Sequence, residues 1–124
     1  MEALKIKRGL NTFEVSLDAT SGKLLFAGRS YPENSTGFFK PINDWLLRYS
    51  ENPASQTECT FNIEYLNSAS RKCIVELLRI LESLHKASNS VTIVWNYDEG
   101  DEGMKETGEE YKNLFKINFQ FNAE

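Results

Sequence analysis

The sequence predicts a two-layer α/β domain, a mixed five-stranded sheet with about three helices on one face. Three observations lead there. Stretches that alternate apolar and polar residues take turns along the chain with stretches whose apolar residues recur every three or four positions. Each of the five alternating stretches has one apolar and one mainly polar face, whereas a sheet covered on both sides shows nearly continuous apolar strands. At 124 residues the chain has room for one well-buried core, so 1–124 reads as a single domain.

After a mixed N-terminal segment, Phe13, Val15 and Leu17 alternate with polar residues in the first predicted strand. Thr20-Ser21-Gly22 supplies a turn, and Leu24 and Phe26 carry a second strand that pairs back as a hairpin. Turn residues at Ser30-Tyr31-Pro32-Glu33-Asn34-Ser35 then lead into a helix over about 36–50, with Phe38, Ile42, Trp45, Leu46 and Tyr49 on one face. Pro41 falls inside that pattern and is expected to delay or kink the helix.

The third predicted strand places Cys59, Phe61, Ile63 and Tyr65 inward. Beyond a short turn, Cys73, Ile74, Leu77, Leu78, Leu81 and Leu84 form the clearest helical stripe in the chain, ending near Ala87. Val91, Ile93, Trp95 and Tyr97 make a fourth strand. An acidic loop at 98–103 and a polar helix at 104–114 follow, and Ile117, Phe119 and Phe121 close the chain as the fifth strand. The order β-β-α-β-α-β-α-β implies right-handed crossovers between parallel strands.

Composition narrows the function. A net charge of −4 without a dense Lys/Arg cluster argues against nucleic acid as a partner. No apolar run approaches bilayer length and the N-terminus lacks a signal-peptide core, so no membrane partner is expected and the chain reads as cytoplasmic. The two cysteines, Cys59 and Cys73, fall on predicted inward faces as small hydrophobes, and a disulfide is not required of them.

No catalytic constellation is visible, and neither a metal nor a cofactor is expected. His85, the single histidine, stands near the end of the long helix with no triad or ligand cluster around it. Asp98, Glu102, Gly103 and Glu109 match four places of a calcium-loop template, but Gly100 occupies a ligand position and a strand precedes the loop. No glycine-rich phosphate cradle follows a strand.

The turn Tyr65-Leu66-Asn67-Ser68-Ala69-Ser70 is the candidate site, because it opens the long helix where unpaired backbone N–H groups leave a partial positive charge. Ser and Asn there are also ordinary capping residues. Arg71 and Lys72 in the first helical turn oppose the dipole and suit a phosphate, or simply extend into solvent. A phosphorylated Ser68 would carry about −1.5 to −2 charges within reach of them. If the crossover is drawn correctly, Tyr31-Pro32-Glu33-Asn34-Ser35 lines the same edge.

Four segments together resemble the SiaC family of bacterial regulatory phosphoproteins. They are Tyr31-Pro32-Glu33-Asn34-Ser35, Asp44-Trp45, Tyr65-Leu66-Asn67-Ser68-Ala69-Ser70 and Trp95-Asn96-Tyr97-Asp98. The resemblance covers nearly the whole chain and is weaker at the N-terminus and in the last 20 or so residues. It implies a STAS-like fold related to the anti-sigma-factor antagonists, and a phosphoacceptor at Ser68 with Ser70 as competitor. It also implies three partners: a serine/threonine kinase with a histidine-kinase-like ATPase fold, a metal-dependent phosphatase, and an effector bound by the unphosphorylated form. In characterised systems of the family that effector is a diguanylate cyclase. The interface expected for such a switch is the ridge of Tyr31, Pro32, Glu33 and Asn34 with Asn67, Ser68 and the first turn of the long helix, Arg71 and Lys72 included. Two further readings stand beside this non-enzymatic switch: an interaction module of the same fold that is never phosphorylated, and an enzyme, for which no clustered acid, base or nucleophile is seen.

Overall fold

A computed structural model describes all 124 residues. Six strands and three helices follow in the order β1 (Leu4–Ile6), β2 (Glu14–Asp18), β3 (Lys23–Ser30), α1 (Ser35–Glu51), β4 (Thr57–Leu66), α2 (Ser68–Ser88), β5 (Val91–Tyr97), α3 (Glu102–Leu114) and β6 (Asn118–Ala123). The sheet is mixed, as expected, but has six strands instead of five. The additional one is β1, whose three residues are too few to display a period, and which is recognisable only by its pairing of Leu4 with Leu17 and Ile6 with Val15.

Spatial order follows chain order, β1-β2-β3-β4-β5-β6. The first two junctions are antiparallel and the remaining three parallel. In-register pairing aligns apolar residues in two rows across the whole sheet. One runs Leu4, Leu17, Leu24, Cys59, Ile93 and Phe119, the other Ile6, Val15, Phe26, Phe61, Trp95 and Phe121. These rows meet Phe39, Ile42, Trp45, Leu46 and Tyr49 of α1, Ile74, Leu77, Leu78, Leu81 and Leu84 of α2, and Met104 and Tyr111 of α3 in one core. Each large apolar side chain fully buried there contributes roughly 1.5–3 kcal/mol.

The opposite sheet face is polar. Asn62, Asn96 and Asn122 align across β4, β5 and β6 and exchange side-chain amide hydrogen bonds of 2.7 and 2.9 Å. Val94 is the exception, buried on this face.

Three expectations change in detail. α1 runs unbroken from Ser35 through Pro41, because the Asn34 cap fixes its start and five buried apolar side chains, Phe39, Ile42, Trp45, Leu46 and Tyr49, hold its inner face. Cys73 is only half-buried, since it borders the hollow between α1 and α2. Tyr65, expected inward, is 52% exposed. The pairing slips at Gly28/Arg29, where Ile63 and Tyr65 of β4 take successive partners and Glu64 is left over. This bulge reverses the alternation, so Glu64 and Tyr65 both face out and Leu66 returns to the core.

Candidate functional site

Parallel pairing of β3 with β4 sets Ser30 beside Leu66, so both strands end at the same edge and each is followed closely by a helix. The amide of Asn67 donates to the Ser30 carbonyl at 3.0 Å, which extends the pairing to the last residue before α2. Both helices begin on an asparagine cap. Asn34 Oδ1 accepts from the Gly37 amide at 3.0 Å, and Asn67 Oδ1 accepts from the Ser70 amide at 2.8 Å. A side chain at position 37 would put its Cβ 2.5 Å from Asn34 Nδ2, so glycine leaves the cap its room.

Between the two helix starts lies a buried hydroxyl cluster. Ser70 Oγ is 2.7 Å from Ser30 Oγ and 3.5 Å from Ser35 Oγ, and all three residues are buried. This separates the two candidate acceptors. Ser70 has no exposed surface, whereas Ser68 is exposed at the first position of α2. The cap belongs to Asn67, however, so the expectation that Ser68 serves as a capping residue is corrected. The signal for Ser70 is present in the sequence: it stands four residues before Ile74, on the apolar stripe of α2.

The cations expected around Ser68 diverge. Arg71 turns toward α3, where its Nη1 donates to Thr107 Oγ1 at 3.0 Å, while Tyr111 Oη donates to the Arg71 carbonyl at 3.0 Å. Burial pushes the Tyr111 phenol well above its ordinary pKa, and the neighbouring Arg71 opposes that rise. Lys72 is exposed on the other side, bordering a hollow of about 490 Å³ between α1 and α2 with Thr36, Phe39, Asp44, Ala69 and Cys73. Sequence reasoning did not find the α3 contribution, because Thr107 and Tyr111 come from the most polar of the three helices.

Along the rest of the edge, Glu33 and Asn34 are exposed and Pro32 is half-buried. Tyr31 packs edge-on against Tyr65 with ring centroids 5.8 Å apart. Next to this pair, Glu64 bridges Arg8 at 2.8 Å and Arg29 at 3.5 Å. The hydrogen bond from Arg8 holds the Glu64 carboxyl below its usual pKa, and Arg8 is correspondingly raised. The structure thus gathers Tyr31, Pro32, Glu33, Asn34, Asn67 and Ser68 on one edge and brings Arg71 and Lys72 to its flanks.

Electrostatics favour an anion at this edge. Neither α1 nor α2 carries an acidic residue in its first turn, whereas α3 has Glu102. The two adjacent positive ends therefore lack the internal carboxylate that α3 has. Chemistry by acid, base or metal has no constellation here. His85 lies at the other end of α2, about 25 Å away by helical rise, where its Nδ1 accepts from the Val91 amide at 3.1 Å. In the acidic loop, Asp101 is used to cap α3.

Comparisons with known proteins agree on one relationship. The family model for SiaC family regulatory phosphoproteins matches residues 6–124. An uncharacterised protein of Pseudomonas aeruginosa strain UCBPP-PA14 is 31% identical over 123 residues, covering 99% of this chain and 98% of that protein. The crystal structure of apo-SiaC from Pseudomonas aeruginosa superposes with a TM-score of 0.91 at 30% identity, covering 99% of this chain and all of that one. A chain from the crystal structure of the diguanylate cyclase SiaD in complex with its activator SiaC, also from Pseudomonas aeruginosa, gives a TM-score of 0.91 at 30% identity. It covers 98% of this chain and 99% of that one.

Proposed function

This chain belongs to the SiaC family of regulatory phosphoproteins, and from that premise we propose that it is a cytoplasmic, non-enzymatic switch whose phosphorylation site is Ser68. Unmodified, it docks an effector through the edge formed by Tyr31, Pro32, Glu33, Asn34, Asn67, Ser68, Arg71 and Lys72. The effector is a diguanylate cyclase, by analogy with the SiaC–SiaD complex. A kinase with a histidine-kinase-like ATPase fold adds the phosphate and a metal-dependent phosphatase removes it, in the partner-switching manner of the STAS-like anti-sigma-factor antagonists.

The observation that supports this reading best is the separation of the two serines. Ser68 offers an exposed hydroxyl at a helix start without an acid, and Ser70 is sealed beneath it. A phosphate of about −1.5 to −2 charge at Ser68 would be favoured by the α2 dipole and would need no rupture of the Asn67 cap. An effector surface apposed to that edge would then have to desolvate a dianion or lie against it, which is unfavourable in either case.

Incubation with the cognate kinase and ATP, followed by phosphopeptide mass spectrometry, should place the label on Ser68 and remove it in Ser68→Ala. Label undiminished in Ser68→Ala defeats the assignment. In a pull-down, Ser68→Asp should retain less cyclase than the unmodified chain.

A further inference from the structure

The two edges of the sheet are unlike. β1 has three residues, whereas β6 has six, Asn118–Ala123, in unbroken register with β5. Natural sheets blunt a long edge with a charged residue, a proline or a bulge, and β6 carries none of these. Its outward groups follow from its inward ones: the Glu124 amide donates to the Tyr97 carbonyl and the Glu99 amide to the Glu124 carbonyl, both at 2.9 Å. Glu124 and the alternate residues Asn122, Gln120 and Asn118 therefore bond toward β5, and the amides and carbonyls of Phe119 and Phe121 point away from the sheet. No loop backbone takes up these groups. We infer that β6 is a self-association edge, pairing antiparallel with β6 of a second copy about a two-fold axis through Gln120.

The residues of β6 point to a second copy as the occupant. Asn118-Phe119-Gln120-Phe121-Asn122 reads the same in both directions. About an axis through Gln120, each Phe119 stands opposite Phe121 of the other copy and each Asn118 opposite Asn122. The phenylalanine pairs are the ones whose main-chain groups point outward, so they exchange amide–carbonyl bonds. A register moved by one residue would set outward groups against inward ones. Phe119 and Phe121 lie on the helix side of the sheet, each only half-buried, and gain cross-strand aromatic neighbours in the pair. On the other face stand Asn118, Gln120 and Asn122, all uncharged. A strand of a different protein has no need of an edge that reads alike both ways.

Charge agrees with the two-fold. Before β6, Lys116 stands with Lys86 and with Arg79, whose guanidinium lies over the Phe115 ring. Against them are Glu82, which accepts from the Lys116 amide and is 3.8 Å from Lys86, and Glu76, 3.7 Å from Arg79. At the far end Glu124 joins Asp98 and Glu99, and Glu64 in the same hollow is held by Arg29 and by Arg8, itself beside Glu14. Along the strand on the helix side, Lys112 lies over the Phe121 ring, and spacing puts Lys105 and Glu109 on the same side of α3. One end of the edge is thus net basic and the other net acidic, and antiparallel pairing brings each against its opposite. The pairing is independent of the switch at Ser68, whose edge lies at the ends of β3 and β4, with β5 between β4 and β6.

The test is sedimentation velocity of the full chain over a range of concentrations. The wild type should pass from monomer to dimer as concentration rises. Gln120→Lys and Gln120→Glu each set like charges opposite one another at the axis, in a pair whose side chains approach closely, and each should weaken dimerisation by about fivefold. Mixed in equal amounts, the two variants should dimerise at least as well as the wild type, because lysine then faces glutamate. Gln120 is exposed, so both variants should keep the far-UV circular dichroism of the wild type. Gln56→Lys, the same charge change in the exposed loop before β4, should leave dimerisation within about twofold. A wild type that stays monomeric, Gln120 variants that dimerise like the wild type, or a mixture no stronger than its components overturns the inference. So does growth beyond the dimer, because a two-fold pairing closes on itself.

Discussion

Replacing Asn67 by alanine should destabilise the protein where replacing its neighbour Ser68 should not. Asn67 Oδ1 accepts from the Ser70 amide at 2.8 Å, so Asn67→Ala leaves that amide without its partner in a partly buried first turn. Loss of an asparagine cap costs about 0.5–2 kcal/mol, and the neighbouring buried Ser70 places this case in the upper half of the range. For a domain of this size that corresponds to a fall in Tm of about 5 °C. Ser68→Ala removes an exposed hydroxyl that carries no cap, and the expected change is within about 0.5 kcal/mol. Ser68→Asp adds a carboxylate to a first turn that has none, with an expected gain of about 0.3–1 kcal/mol at low salt. Thermal and urea unfolding, followed by far-UV circular dichroism, should rank Ser68→Asp as the most stable chain, the wild type and Ser68→Ala together below it, and Asn67→Ala last. If Ser68→Ala costs as much as Asn67→Ala, the cap is shared. Phosphorylation would then fray α2 and not merely charge its surface.

Two further substitutions probe how α3 supports the site. Gly108→Ala should destabilise by a net ~1–2 kcal/mol despite alanine's advantage of about 1 kcal/mol in a helix. The added Cβ would lie 2.5 Å from Trp95 Nε1 and 2.8 Å from Phe121 Cε1, and near-UV circular dichroism should report the disturbed indole. Tyr111→Phe removes the hydrogen bond to the Arg71 carbonyl and should cost about 1 kcal/mol at neutral pH. Because the folded-state pKa of Tyr111 is raised above the unfolded value of about 10, its contribution is fully present below that pH and is lost as pH climbs toward the folded pKa. The stability of the wild type should therefore decline above about pH 10 more steeply than that of Tyr111→Phe, as read from unfolding curves across that range.

What the sequence disclosed depended on how long a pattern persisted. α2 and β5 each carry several repeats of their period, and both were legible nearly to their ends. β1 is too short to repeat. The bulge at Glu64 is invisible for a different reason: the string Cys59, Phe61, Ile63, Tyr65 keeps its alternation in sequence while the backbone breaks it, so only the partner strand reveals which side Tyr65 faces. Gly108 carries no apolar signal in a polar helix, yet it is the place where α3 approaches Trp95. At the site, Asn67 and Ser68 could be read as a helix start. Their roles could not be told apart until the cap geometry showed which side chain accepts from the first turn.

The hydroxyl cluster of Ser30, Ser35 and Ser70 has a consequence for any attempt to move this turn elsewhere. Its three members come from β3, α1 and α2, and each hydroxyl has a serine partner within 3.5 Å. Grafting 65–72 onto another scaffold would bring Ser70 without its partners and leave a buried polar group unsatisfied. The transferable unit is therefore discontinuous: 30–37 and 65–72 together, with the strand pairing that sets them side by side.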